Sequence, residues 1–546
     1  MSHRNEIPPC TSAVNAESVD FAIWVIDSSG IGEELETLLK RRTGRPRTLP
    51  VRPLLVALLL LAIDDRPLHL KAATRLLWRQ LPKGSCERLN IAGEARTKKS
   101  FLARYRQVRY LFHSMLETMD PSLLQKNRVM DQEMAVKRRR KLTTAEIDER
   151  KARLESVIAS LIDASIRVCS RAELDNFDGS VGLDATPVPL FSRGPSRHTG
   201  RSASDPDGGW YVREGDHREI EGPGGRKLRK LFWALEATIV TMGRPPGSVP
   251  AHPNLILGVT LARPGEDPGG TGVRLLASIR RRGYPAGYLG ADRGYTQVIA
   301  ERFHLPVRAL GYRLVMDYKA QDLGIQANSG GAVMVDGAFY CPGMPDALVQ
   351  ASSQWRAGII GEALSKTRIA ARAPWRLVRK EGPDADGYER WSCPAQGDHP
   401  QLCCPLRPSS LTAGLGRIPV LFPPDSPPKL CTQTAVTIAP DVGARHRQEL
   451  AFGTEEWSAT YACYRNTIEG LNGYVKDAAH EALSAPSRRR VRGIAAQSLF
   501  CAFLLMAANI RKIRAYRELV FEQRSAVVAE RARRRRTSLA DYRASP

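Results

Sequence analysis

Three acidic residues, Asp184, Asp292 and Glu469, stand where the chain could do chemistry on phosphate. Asp184 directly follows the apolar stretch Val181-Gly182-Leu183, and Asp292 directly follows Tyr288-Leu289-Gly290-Ala291. Each reads as a carboxylate at the C-terminal end of a buried strand, where a rigid sheet can hold it and an unanswered charge is expensive. Glu469 lies in the stretch 461–476. Helical geometry sorts Tyr464, Ile468, Leu471 and Val475 into an apolar stripe there, and Arg465, Glu469, Asn472 and Lys476 into a polar stripe beside it. Carboxylates are ligands for hard divalent cations. Two such ions about 3.5–4 Å apart serve phosphodiester chemistry that consumes no nucleoside triphosphate. Taken singly, an Asp after a strand is more often a turn former or helix cap, and a charged helix stripe is more often a salt-bridged surface. The combination is what points to chemistry. Gly470 and Gly473 each cost a helix about 1 kcal/mol, which implies close packing or close approach of a strand at those positions.

Such carboxylates need a scaffold, and 546 residues with 42% hydrophobic content are enough for several domains. The 81 Lys and Arg, 64 of them Arg, outnumber 57 Asp and Glu to give a net charge of +24. The planar Arg fork matches phosphate oxygens, so nucleic acid is the expected partner. Residues 1–130 read as a helical, basic region. An apolar helix over 53–63 opens on Pro53, a second follows over 68–77, and after a break at Pro82-Lys83-Gly84 comes a basic helix over 97–119, resembling a helix-turn-helix bundle. Residues 131–178 form a basic connector. Its Thr143-x-x-Glu146 capping box opens a helix to about residue 168, with Leu154, Val157, Ile158, Leu161, Ile162 and Ser165 on one face.

From residue 179 to 320 the pattern becomes strand, strand, strand, helix, strand, helix, strand. The connection 191–230, rich in Gly, Ser and charge, reads as a flap. Residues 321–455 are irregular, dense in Pro, Gly and Cys, and read as an inserted module. Helical sequence returns over 456–520 with Glu469, and 521–546 is a basic tail with an Arg-rich run at 531–536, read as a solvated arm.

Asp184 in Leu183-Asp184-Ala185-Thr186, Asp292 in Ala291-Asp292-Arg293-Gly294-Tyr295, and Arg465-x3-Glu469-x6-Lys476 resemble the acidic motifs of the DDE transposases of bacterial insertion sequences. The last motif is similar to the Tyr-x2-Arg-x3-Glu-x6-Lys signature of one subgroup. The tyrosine departs by one place: Ala462 holds its position, Tyr461 stands just before it, and Tyr464 is taken as the substitute. The resemblance implies a multidomain α/β protein with an RNase H-like mixed-sheet catalytic core, interrupted by an insertion domain and preceded by helices that bind DNA ends. It implies that Asp184, Asp292 and Glu469 are catalytic and hold two Mg²⁺ ions, with Mn²⁺ able to substitute. Strand cleavage at the element end and attack of the freed 3′-OH on target DNA would follow. Arg465 and Lys476 would hold phosphates, Arg45 and Arg47 would act as minor-groove arms, and Lys98, Arg104 and Arg106 would contact DNA. The partners implied are double-stranded DNA, both element ends and target, and a second copy of the chain in a synaptic homodimer.

Two other classes fit the same residues: a domesticated transposase that binds DNA without cutting it, and an RNase H-fold nuclease that only hydrolyses. The longest apolar runs, 54–63 and 499–508, are about half the ~20 residues a membrane span needs. A bacterial cytoplasmic location at the nucleoid, with no membrane partner, is therefore expected. P-loop, HExxH, CxxC and GxGxxG signatures are absent from the sequence. In the insertion, Cys341, Cys393, Cys404 and Cys431, with His399 nearby, supply enough soft ligands for a structural Zn²⁺, although their spacings follow no standard zinc pattern. Trp210, Tyr211, Trp355, Trp375 and Trp391 could stack on unpaired bases, or simply be core.

Overall fold

The computed structural model describes residues 14–40, 47–91, 97–122, 124–139, 141–195, 200–214, 229–244, 250–412 and 416–543. Its central sheet is built on β1 (Val181–Pro189), which pairs antiparallel along its length with the long strand β3 (Arg229–Met242). The far edge of β3 is shared end to end by β2 (Gly209–Glu214) and β4 (Ile256–Ala262), both antiparallel to it. On its other side β1 runs parallel to β5 (Tyr288–Ala291), which runs parallel to β6 (Arg313–Met316). Four antiparallel strands, β2 and β4 sharing one edge of β3, thus continue into two parallel ones, with helix Pro268–Arg281 as the crossover between β4 and β5. The chain is a multidomain mixed α/β protein.

Burial explains the order. All seven residues of β4 are buried, and so are the ends of β5 and β6. One face of the sheet is covered by helix Thr144–Ile166 and the 50-residue helix Ile494–Arg543. Asn509 of the long helix staples this layer. Its amide accepts from Ile256 N at 2.8 Å and donates to Ile256 O and Ser165 Oγ, each at 3.0 Å. The capping box expected at Thr143 and Glu146 is present, and the six residues of the expected stripe are buried. This helix is not a spacer between domains, because its apolar face is part of the sheet's own core. The N-terminal helices join the same core: helix Val51–Ile63 has 11 buried residues, Leu54 to Ala62 among them, and their cluster runs without a break into the sheet and the long helix.

Several expectations about connections are corrected. The supposed flap carries β2, where Trp210 packs edge-on against Trp233 at 5.5 Å and Tyr211 stacks on Phe232 at 5.3 Å. Its residues Asp205 and Asp207 are buried, and they accept from Gly493 N at 3.1 Å and Ile494 N at 3.0 Å to cap the long helix. That helix continues to Arg543, so the tail is helical backbone; the side chains at 531–536 lie outside the described residues. The most apolar window within Ile494–Gln523 has a membrane-span composition but is 89% buried, so the fold already uses that surface.

The stretch 321–455 is more regular than its composition suggests. It forms two three-stranded sheets, Ile325–Ser329 with Ala332–Val335 and Ala338–Tyr340, and Val378–Glu381 with Glu389–Ser392 and Val436–Ile438. A two-residue pair joins Leu402–Cys403 to Ile418–Pro419, and the module has its own apolar cluster around Phe339, Trp375 and Trp391. Trp375 and Trp391 are therefore core, while Trp355 is 40% exposed.

Candidate active site

Asp184 lies within β1, not at its end, and the position matters through its neighbour. Parallel pairing to β5 stops at Leu183, opposite Ala291, so the β5 edge of β1 opens at Asp184. Asp292 leaves β5 at the same level and caps the helix Arg293–Thr296, its Oδ1 accepting from Arg293 N at 2.7 Å. Both carboxylates are thereby held by backbone at the C-terminal edge of the parallel strands, where open α/β sheets place their ligands.

Glu469 arrives on helix Glu455–Lys476, capped by Thr454 with Glu455 and Glu456 in its first turn and Lys476 in its last, the charge order a helix dipole favours. The expected apolar stripe, Tyr464, Ile468, Leu471 and Val475, is buried. The close approach inferred from Gly470 and Gly473 is real but mislocated. Both helix glycines are exposed with open space around them, and the room is made on the sheet. A Cβ on Gly290 would stand 2.6 Å from Tyr464 Cβ, one on Gly182 would stand 3.1 Å from Ile468 Cβ, and one on Gly243 would stand 2.5 Å from the Tyr464 ring. Glycines at these three positions let the helix settle directly on β1, β3 and β5.

The result is one small cleft of about 10 Å³ lined by Leu183, Asp184, Gly290, Ala291, Asp292, Tyr461, Arg465, Ile468 and Glu469. All three acids singled out in the sequence line it. Arg465 crosses it, donating from NH1 to Asp292 Oδ1 at 2.7 Å and from NH2 to Glu469 Oε1 at 2.6 Å. Burial works against the Arg465 charge, but Tyr461, Asp292 and Glu469 outweigh it and raise its pKa. Asp184 is raised to about 6, first by burial and further by the like charge of Asp292, against a bond from Ala185 N and the cations Arg465 and Lys476.

Asn472 at the site and Asp317 at the end of β6 were not singled out as functional from sequence, and of the tyrosines it is Tyr461 that reaches the cleft. Asn472 is buried and donates from Nδ2 to Asp184 Oδ2 at 2.9 Å, fixing that carboxylate from the glutamate helix. Its place on the polar stripe was visible, but its partner 288 positions away was not. Asp317, directly after β6, is buried and held by Arg293 at 2.7 Å and Arg356 at 3.4 Å; it follows an apolar run just as Asp184 and Asp292 do. Tyr461 faces the cleft and stacks on Trp457 at 5.1 Å, whereas Tyr464 is buried against the sheet. Of the two tyrosines around the displaced signature position, Tyr461 is the one that reaches the site.

The N-terminal candidates do not line the cleft. Arg45 lies outside the described residues. Arg47 donates to Leu39 O at 2.8 Å and pairs with Glu36 at 2.6 Å, while Glu36 also accepts from Val51 N, so this arginine ties Glu36 and Leu39 to the start of the apolar helix. Arg104 sits 5.4 Å over Trp78, and Lys98 and Arg106 are exposed on helix Lys98–Met119. Part of the basic excess is also used internally: Arg282 is bonded to Leu257 O and Asp163, and Arg489 is fully buried. Cys341, Cys393, Cys404 and Cys431 are all buried in the insertion, away from the cleft lining, and His399 is exposed.

A scan of protein-family models, a search of curated proteins and a search of solved structures each found no match to this chain.

Proposed function

We propose that this chain is a DDE-type DNA transposase, with Asp184, Asp292 and Glu469 as its catalytic carboxylates. The observation that carries the reading is their convergence, from two strands and a helix far apart in sequence, into one cleft crossed by Arg465. A mixed sheet of four antiparallel and two parallel strands, with an insertion before the glutamate helix, supports an RNase H-like core.

The residues fit divalent ions. Arg465 is a cation already spanning two of the carboxylates, and Asp184 and Asp292 repel each other in its absence. Asp184, Asp292 and Glu469 would hold two Mg²⁺ ions, or Mn²⁺ in their place. When bound, they would supply activation of the attacking oxygen and stabilisation of the leaving one. The chain's own residues do the rest. Asn472 orients Asp184, Arg465 exchanges carboxylates for a DNA phosphate as the cleft opens, and Lys476 adds positive charge beside Asp184. Double-stranded DNA as substrate, a homodimer at synapsis and a bacterial cytoplasmic location belong to the same proposal.

The test uses the purified chain, Mg²⁺, and duplexes carrying the DNA that flanks its gene. Cleavage at an end followed by joining of that 3′ end to a target plasmid is expected. On a pre-cleaved end, a 3′-dideoxy terminus should abolish joining, since it removes the attacking hydroxyl. Hydrolysis without joining would point to a nuclease, and binding with neither would point to a DNA-binding protein; either result overturns the proposal.

A further inference from the structure

The insertion carries a group of side chains that strand cleavage leaves unused. Three of its cysteines open the same kind of turn: Cys341-Pro342-Gly343-Met344, Cys393-Pro394-Ala395-Gln396 and Cys404-Pro405-Leu406-Arg407. In each, the fourth residue's N–H donates to the cysteine carbonyl, from Met344 at 3.1 Å, Gln396 at 3.0 Å and Arg407 at 2.9 Å. In the second, the N–H two places on also turns to the sulfur: Ala395 N donates to Cys393 Sγ at 3.5 Å. Proline sets φ at the second position of such a turn, and N–H groups aimed at sulfur favour thiolate over thiol. Thrice-repeated geometry of this kind does more than bury a small apolar side chain.

The turns face one another. Cys341, Cys393 and Cys404 belong to one buried cluster, Gln401 N donates to Pro394 O at 2.8 Å to tie the second turn to the third, and Arg407 of the third turn reaches Leu430 O, next to Cys431, at 3.0 Å. Cys431 comes from the short helix Lys429–Thr432, its N–H donating to Pro428 O at 2.8 Å. All four residues are at most 5% exposed. Arg407 donates to Gln433 O as well as to Leu430 O, placing a fixed positive charge beside the group. The adjacent thiol of Cys403 points elsewhere, to Ser410 O at 3.4 Å.

We propose that Cys341, Cys393, Cys404 and Cys431 bind one structural Zn²⁺, which ties the three turns and the Lys429–Thr432 helix into a single unit. The four sulfurs are not yet a closed ligand set. Binding draws them together and releases to solvent one proton from each thiol still protonated. Arg407 offsets part of the negative charge of four thiolates. The insertion's strands are only two to five residues long, and a metal staple suits a module of such short elements.

The test is metal content and ligation of the full chain, purified under reducing conditions without chelator. About one zinc per chain is expected, with an X-ray absorption shell of sulfur at ~2.3 Å. Cys393→Ser and Cys404→Ser should lose the metal, while Cys403→Ser and Cys463→Ser keep it. Should the ligand variants fail to fold, the wild-type chain grown with Co²⁺ gives the answer, since tetrathiolate coordination produces a sulfur-to-cobalt charge-transfer band. Less than ~0.2 zinc per chain, a nitrogen or oxygen shell, no charge-transfer band, or zinc retained in folded Cys404→Ser would each overturn the site. None of these readouts involves DNA cleavage, so this proposal and the transposase reading fail independently.

Discussion

Replacing Gly290 by Ala tests how the glutamate helix is seated. The new Cβ would stand 2.6 Å from Tyr464 Cβ, against an ordinary carbon–carbon separation of about 3.5–4.0 Å. Because the opposing atom is a Cβ, no rotamer change of Tyr464 can relieve the clash, and the helix must retreat by roughly 1 Å. Glu469 lies five positions further along the same helix, so it moves with it. Overpacking of this kind costs about 1–3 kcal/mol of stability, and a displacement near 1 Å at a reacting centre costs on the order of 10²-fold in rate. Gly182→Ala, where the closest atoms would be at 3.1 Å, should show the same effects more weakly. The assay is the initial rate of Mg²⁺-dependent cleavage of element-end DNA, with melting and DNA affinity measured on the same samples. The expected pattern is a large rate loss with DNA affinity retained, graded Gly290→Ala over Gly182→Ala. A Gly290→Ala enzyme within about twofold of wild type would refute direct seating of the helix on β5.

His304 gives a pH-dependent stability effect. It is fully buried with neither ring nitrogen hydrogen-bonded, and burial, followed by the charges of Arg308, His446 and Arg445, lowers its pKa from 6.5 to about 3. Between those values the unfolded chain takes up a proton that the folded chain refuses, so stability is lost as pH falls below 6.5, by about 2 kcal/mol at pH 5. His304→Phe should therefore raise the melting temperature more at pH 5 than at pH 7.5; an equal effect at both would contradict the buried neutral ring. In the insertion, Arg372 and Asp336 form a pair 2.6 Å apart with side chains 2% and 1% exposed. Asp336→Ala leaves the arginine charge buried and should destabilise the module by about 3–5 kcal/mol, read as faster proteolysis within 321–455. Asp336→Asn keeps an acceptor for Gly324 N and tolerates the left-handed backbone at this position, so it should lie between; no change in Asp336→Ala would refute the pairing.

Legibility in the sequence followed the range of the interaction. The capping box at Thr143, the buried stripe of helix 144–166 and the apolar face of the glutamate helix were readable because they depend on neighbours three or four positions apart. The three carboxylates were readable because each is announced by its own local pattern. What escaped depends on distant partners. Asn472 acquires its role only from Asp184, and the glycines that admit the helix lie on strands whose own spacing gives no reason for them. Helix 144–166 looked like a connector because its apolar stripe does not say which surface it meets. The insertion looked irregular because strands of two to five residues are too short for a period-two pattern to register.

The central claim is that Asp184, Asp292 and Glu469 act as one catalytic set. Its most direct test is a cleavage assay of Asp184→Asn, Asp292→Asn and Glu469→Gln on one element-end duplex in Mg²⁺, with binding to that duplex measured alongside. Each substitution nearly preserves shape while removing a charge, and each should reduce cleavage by ~10³-fold or more while affinity for DNA stays near wild type. Undiminished cleavage in any one of the three folded variants would contradict the assignment.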